Sequence, residues 1–529
     1  MSRFNTVTAK TQPHSPVTSE DVPSGRTHEG APGYARDAKS ELFLLAVANM
    51  GGDNTFYESG KDRDSRYAAL VRQVATGDLP WMTGFLGWLR SGANMRTASV
   101  IGAAEAVRAL LDAKQPGGRL LVASVLQRAD EPGELLAYWH SRYGRNEPKP
   151  LKRGIADALL RLYNEYALLK YDTGSHGYRF ADVIERVHVT GEHPEVKGTW
   201  RGELYEHAID RRHGRDKPVP ESLAMIRANS ALRATAAANP AALLNAEVLK
   251  AAGMTWEDTL SLAGSKVSKR DLWAALIPSM GYMALIRNLR NLDEAGVPDT
   301  VADSVIARIV DPEQVARSRQ FPFRFLAAYR ACASLRWAYP LERALNLSLA
   351  NVPELRGRTL ILVDRSGSMF DRLSEKSGLN RADTAAIFGA AVAVRCEHAD
   401  LIQFDSGSAP VQFRNAESVL KVIERFGGGG GTNTADAVRR HFRAGFHSRV
   451  LLITDEQAHY GYYGGDPTTL IPADVPVYTW NLAGYEHGHG PSGSQNRHTF
   501  GGLSDSAFRM VPLLESGRDA TWPWMEPAA

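Results

Sequence analysis

Cysteine is nearly missing: Cys332 and Cys396 are the only two in 529 residues. Two thiols cannot make a disulfide framework. Each falls inside an apolar helical pattern, so both read as buried, reduced thiols of a cytoplasmic protein. Long hydrophobic runs are missing as well. No stretch of about 18 apolar residues occurs, which excludes a helical membrane span. The opening MSRFNTVTAKTQPHSPVTS lacks the continuous apolar core of a signal peptide. Charge of one sign is also scarce in net terms, because 62 Lys and Arg face 59 Asp and Glu for a balance of +3. A pI near 8.7 permits an acidic partner without demanding one.

What remains is ordinary globular material, 43% hydrophobic and 23% charged. The length exceeds one core, so two or more domains are expected. Residues 1–37 are rich in Ser, Thr, Pro and Gly with almost no large apolar side chains, and a mobile arm is expected there. Residues 38–350 show helical periodicity throughout. In 98–113 (ASVIGAAEAVRALLDA), Val100, Ala103, Ala104, Val107, Leu110 and Leu111 form one stripe. Pro278 is expected to bend or end the helix begun near Trp273. Polar breaks such as GRNEPKP and EAGVPDT separate helices of similar length. Stacked antiparallel helix pairs follow, although no strict repeat is visible.

Near residue 350 the pattern changes, and 351–529 alternates apolar runs with helical segments, as a parallel sheet flanked by helices does. The stretch 359–369, TLILVDRSGSM, is central. Its apolar run suits a strand buried on both faces, and it ends in Asp364, Ser366 and Ser368. Ligands bind beyond the carboxyl ends of such strands. Thr432 in the loop GGGGGTNT and Asp455 after RVLLIT lie at two further strand ends of the same edge. Two carboxylates and three hydroxyls suit Mg²⁺, which takes oxygen ligands and keeps some positions for water or a ligand. The same residue types also cap helices and turns.

Other chemistries fit less well. GGGGGTNT lacks the Lys of a phosphate-binding loop. His487 and His489 in GYEHGHGPSG are too closely spaced for a zinc site without a second pair, and a mobile loop fits better. No Ser-His-Asp or Cys-His arrangement stands out, so an enzyme is not expected.

The set D-x-S-x-S (DRSGSM), GGT at 430–432 and TDE at 454–456 resembles the metal-ion-dependent adhesion site of von Willebrand factor A domains. That resemblance implies Asp364, Ser366, Ser368, Thr432 and Asp455 as ligands, with one coordination position open to an acidic group of a protein partner.

In the helical half, the segment at 272–292 (LWAALIPSMGYMALIRNLRNL) can turn Leu285, Leu289 and Leu292 to a core and Arg287, Arg290 and Asn291 to another face. Such a face can meet phosphates and unpaired bases, or simply be solvated. RGIADALLRLYNEY, LIRNL and the PF-containing helix at 320–337 resemble the TROVE module of the Ro 60 kDa autoantigen family. The order, TROVE module then A domain, is that family's. The resemblance implies a HEAT-like helical-repeat ring with an α/β doubly wound A domain, acting as a monomer in the cytoplasm. It implies small non-coding Y-like RNA on the outer surface, single-stranded 3′ ends of misfolded RNA in a central hole, and work in RNA quality control or decay with an exoribonuclease. Position by position, Lys170, Tyr171, Asp182 and His188 match the family's Y-RNA surface. The family's arginine falls near Gly174 or Ser175, so Arg179 is the candidate substitute, and Tyr178 stands at a tryptophan position. Arg287, Asn288 and Arg290 match the helix bordering the hole. The competing expectation is a metal-dependent protein scaffold using the A domain, without an RNA role.

Overall fold

The computed structural model describes residues 12–49, 54–174, 177–332, 334–374, 377–415, 417–460 and 466–525. They fall into two compact units. One comprises Val71–Gln320 and Ala328–Ala344; the other comprises Met1–Leu70, Phe321–Ala327 and Leu345–Ala529. The two fold classes read from the sequence, all-α and then α/β, are the ones present. No helix among the described residues is long and apolar enough to cross a membrane.

The helical unit is built from short helices that pack on neighbours one or two places along the chain. Gly118–Val125 lies against Leu79–Ser91, Arg96–Asp112 and Lys149–Leu162, and the last also packs on Phe180–Val187. Trp81, Phe85, Val107, Leu121 and Ile155, on these helices, are buried. Gly154 lets two helices touch, since a Cβ there would stand 2.6 Å from Val122 Cβ. Pro278 does end a helix: Lys269–Leu276 stops and a 3-10 turn, Ile277–Ser279, follows.

The α/β unit holds nine short or medium strands among the described residues: β1 (Gly25–Arg26), β2 (Pro32–Ala35), β3 (Arg358–Asp364), β4 (His398–Phe404), β5 (Ser408–Pro410), β6 (Arg449–Thr454), β7 (Val477–Asn481), β8 (His487–Gly488) and β9 (Arg497–Gly501). The main sheet has the order β5-β4-β3-β6-β7-β9 and is parallel except for the edge strand β5. Alternate residues of β3 feed two cores. Leu360 and Leu362 join Ile402, Phe404, Val438 and Leu452 on one face. On the other, Val363 meets the helix Arg381–Ala393, which is buried along its length. A Cβ on Gly389 would stand 2.4 Å from Val363 Cγ2, so glycine sets how closely that helix lies on β3. Asn380 and Asp383 close its start with reciprocal side-chain-to-backbone bonds.

The mobile arm expected over 1–37 is not what residues 12–37 form; residues 1–11 lie outside the described residues. β1 pairs with β2, and β2 pairs with β8 near the far end of the chain. Val17 and Ala31 are fully buried, and Ser19 exchanges bonds with Ser492. The segment is poor in apolar side chains, but its backbone finds partners in another part of the chain. Asp37 then caps the helix Ala38–Ala48, whose Leu42–Ala48 face is buried within this unit rather than in the helical one.

Candidate functional sites

At the end of β3 the chain turns through the 3-10 segment Gly367–Phe370. Asp364 Oδ1 accepts from Ser366 N at 2.8 Å, and Ser366 Oγ lies 3.3 Å from Ser368 Oγ. Thr454 Oγ1, at the end of β6, donates to Asp364 Oδ2 at 2.6 Å. The glycine loop is stitched to the same turn by Gly367 N to Gly430 O at 2.8 Å and Gly429 N to Arg365 O at 3.0 Å. Asp364, Ser366, Ser368, Thr432 and Asp455 are all buried. The fold thus gathers the expected five on one sheet edge.

Asp455 Oδ1 accepts from Gln457 N at 3.0 Å. Its Oδ2 is buried and completes no hydrogen bond among the described residues, although the Ser368 hydroxyl stands close enough to Asp455 to offset part of the effect of burial. Burial above all raises the pKa of both carboxyls, and the charge of Asp455 adds to the effect on Asp364. Two buried carboxylates in one pocket cannot both stay ionised without a counter-charge. A hard cation would supply it, and the all-oxygen donor set fits Mg²⁺. Glu456, the next residue, adopts φ 61° and turns away from this pocket to the Arg36 guanidinium and Asn481 Nδ2.

The His487/His489 loop carries β8 and is tied to β2 instead of standing free. Among the described residues no group of three or more His, Cys, Asp or Glu converges as a metal site, which leaves the zinc alternative without support.

The proposed RNA residues divide. Lys170 is exposed, its ammonium over the Tyr166 and Tyr171 rings at 5.5 and 5.2 Å. It lines a cavity of about 710 Å³ together with Arg287, Arg128, Arg317, Trp256 and Met283. Lys170 also faces a second hollow of about 840 Å³, shared with Arg179, Arg211 and Arg233. Arg179, however, is bound to the buried Asp172 carboxylate at 2.7 Å, so its charge is largely engaged. His188 ends the helix Phe180–Val187 at φ 62° with Lys152 Nζ 3.3 Å away, and lines neither hollow. Arg290 is exposed and pairs with Glu294 at 3.5 Å. Asn288 differs from expectation: it is buried, donates to Ala284 O at 2.8 Å and accepts from Asn291 at 2.7 Å. Its side chain holds the helix and offers no polar atom to a ligand. Of the family arginine's two positions, Ser175 lies outside the described residues. Arg128, Arg211, Arg233, Arg317 and Trp256 were not singled out from sequence, because distant helices bring them to Lys170.

Comparison with known proteins adds three findings. Residues 249–344 match the sequence model of the TROVE domain. "RNA-binding protein RO60" of Caenorhabditis elegans is 30% identical over 128 residues, 21% of this chain and 20% of that protein. "Telomerase protein component 1" of Mus musculus is 43% identical over 77 residues, 14% of this chain and 3% of that protein. The aligned parts are thus a small share of those relatives. The crystal structure of the Deinococcus radiodurans RO (RSR) protein superposes with a TM-score of 0.60 at 18% identity, covering 90% of this chain and 99% of that one; this likeness speaks for the fold.

The TROVE match thus falls inside the helical unit, except for residues 321–327, and the chain's other unit is a doubly wound α/β fold. The matched stretch is similar to RO60 in sequence, and the chain as a whole shares the fold of the Deinococcus RO protein.

Proposed function

We propose that this protein binds RNA through its helical unit and works as a binder rather than an enzyme. The observation that carries this is the Lys170–Arg287 cavity. Basic side chains surround the rings of Tyr166, Tyr171 and Trp256 there, and such a surface suits phosphates together with unpaired bases. The names of its relatives add weight: RO60 is described as RNA-binding. The finer reading follows the Ro resemblance. A small Y-like RNA would occupy the Lys170 surface. Misfolded RNA with a single-stranded 3′ end would be the second ligand, held for quality control or decay by an exoribonuclease in the cytoplasm.

A gel-shift series with purified protein tests this. An RNA with a single-stranded 3′ tail should shift and a blunt duplex should not at physiological salt. Equal binding of both would overturn the 3′-end reading, and no shift of either would overturn RNA binding.

The α/β unit would hold one Mg²⁺ through Asp364, Ser366, Ser368, Thr432 and Asp455. The ion would neutralise the two buried carboxylates and offer a position to an acidic group. The unpartnered Asp455 Oδ2 supports this second role. If partner capture is abolished by chelation or by Asp364→Ala, and the complex carries no RNA, the protein-scaffold reading replaces the first.

A further inference from the structure

The N-terminal segment does more than pair with β8. It passes over the segment that follows Asp455. His28 N donates to Gln457 Oε1 at 2.8 Å, Thr27 Oγ1 donates to Ala458 O at 2.8 Å, and Gly30 bridges to His459. Between these anchors stands Glu29. Its carboxylate accepts the Tyr57 hydroxyl. The Tyr57 ring stacks flat on His28 with centroids 4.9 Å apart, and meets Tyr485 edge-on at 5.6 Å. That same hydroxyl is a hydrogen-bonding neighbour of Ser368 and lies within reach of the Asp455 carboxylate, two of the residues proposed to hold the cation.

Glu29 therefore lies one hydroxyl away from a pocket that already holds two carboxylates. A third negative charge is repelled there unless a cation occupies the pocket. With a cation it becomes an asset, since a site of few protein carboxylates has room for one more oxygen ligand. We propose that Glu29 is the site's own acidic ligand, a carboxylate from the N-terminal segment that fills the coordination position otherwise open to a partner, with Tyr57 as its positioning residue. The inference rests on the Mg²⁺ reading above. On this view the cation fastens residues 25–36 to the α/β unit, and an acidic partner must displace Glu29 to dock.

The test is Mg²⁺ titration of the full chain by calorimetry, followed by amide hydrogen exchange with and without Mg²⁺. Four proteins are compared: wild type, Glu29→Gln, Tyr57→Phe and Asp364→Ala. Wild type should bind, and Asp364→Ala should not. Glu29→Gln should bind about tenfold more weakly or worse, with a smaller loss for Tyr57→Phe, in the range that ligand-orienting partners show. Mg²⁺ should slow exchange at 25–36 in wild type and leave it unchanged in Glu29→Gln. Wild-type affinity and wild-type exchange response in Glu29→Gln would overturn the role of Glu29 and leave the metal site standing. No Mg²⁺ binding by wild type, or equal binding by Asp364→Ala, would instead overturn the metal site itself. Glu29 is only partly buried, so the amide variant is expected to fold, and unchanged exchange elsewhere in the chain verifies it.

Discussion

Thr454 Oγ1 and Asp364 Oδ2 are joined by a 2.6 Å hydrogen bond that fastens the end of β6 to the end of β3. Both residues are fully buried, so no water replaces the bond if it is cut. Thr454→Val keeps the shape and removes the donor. A loss of about 1–3 kcal/mol is expected, together with weaker Mg²⁺ binding. Thermal melts with and without Mg²⁺ measure both.

Lys170 and Arg287 line one cavity, whereas Asn288, next to Arg287 in sequence, is buried. Lys170→Ala and Arg287→Ala should each lower RNA affinity and reduce the slope of log affinity against log salt by about one. Asn288→Ala should leave that slope alone and cost about 1–2 kcal/mol of stability. Filter binding across a salt series separates the two outcomes.

His498 is pushed down to about 4 by burial first, then by Arg497 and His14. A depressed histidine stays neutral in the folded state while its unfolded counterpart, near pH 6.5, takes up a proton. Its contribution is complete above about pH 6.5 and is lost as the pH falls towards 4. Urea midpoints should drop across that window, by an amount on the order of 2–3 kcal/mol for this group. His498→Phe should flatten that part of the profile, while retaining a ring against Tyr478, whose centroid lies 5.6 Å from that of His498.

Gly154→Ala pits helix propensity against packing. Alanine is favoured in a helix by about 1 kcal/mol. Its Cβ would stand 2.6 Å from Val122 Cβ and 2.7 Å from Arg119 O, so the helices must part. Overpacking of this kind costs about 1–3 kcal/mol, and a net destabilisation is expected in a thermal melt.

The convergence of Asp364, Ser366, Ser368, Thr432 and Asp455 on one edge was largely legible, because each of these residues stands at or just past the end of an apolar strand or lies in the glycine loop. TLILV carries no polar alternation, as befits β3 with neighbours on both sides and helices above and below. Asn288 was open to a better prediction: it stands three residues after Leu285 and four before Leu292, on the buried side of the helix, whereas Arg287 is turned outward. The partner of Arg179 could not be read, since nothing in sequence shows that Asp172 is buried. The N-terminal segment was misread for a related reason. Composition measures what a segment buries on its own, and residues 12–37 are ordered by backbone partners more than 400 positions away, such as Ser492 for Ser19.

The pairing of β2 with β8 also has a timetable. In the order of synthesis, the whole helical unit, Val71–Gln320 and Ala328–Ala344, comes between those strands. At about 5–20 residues per second, β2 leaves the ribosome tens of seconds before β8 exists. The helices, whose contacts are local, can fold in that interval. The α/β unit then closes around an N-terminal segment that has waited unpaired, at a loop-closure cost that grows only slowly with the length between them. The strands made earlier are therefore among the last to find their place.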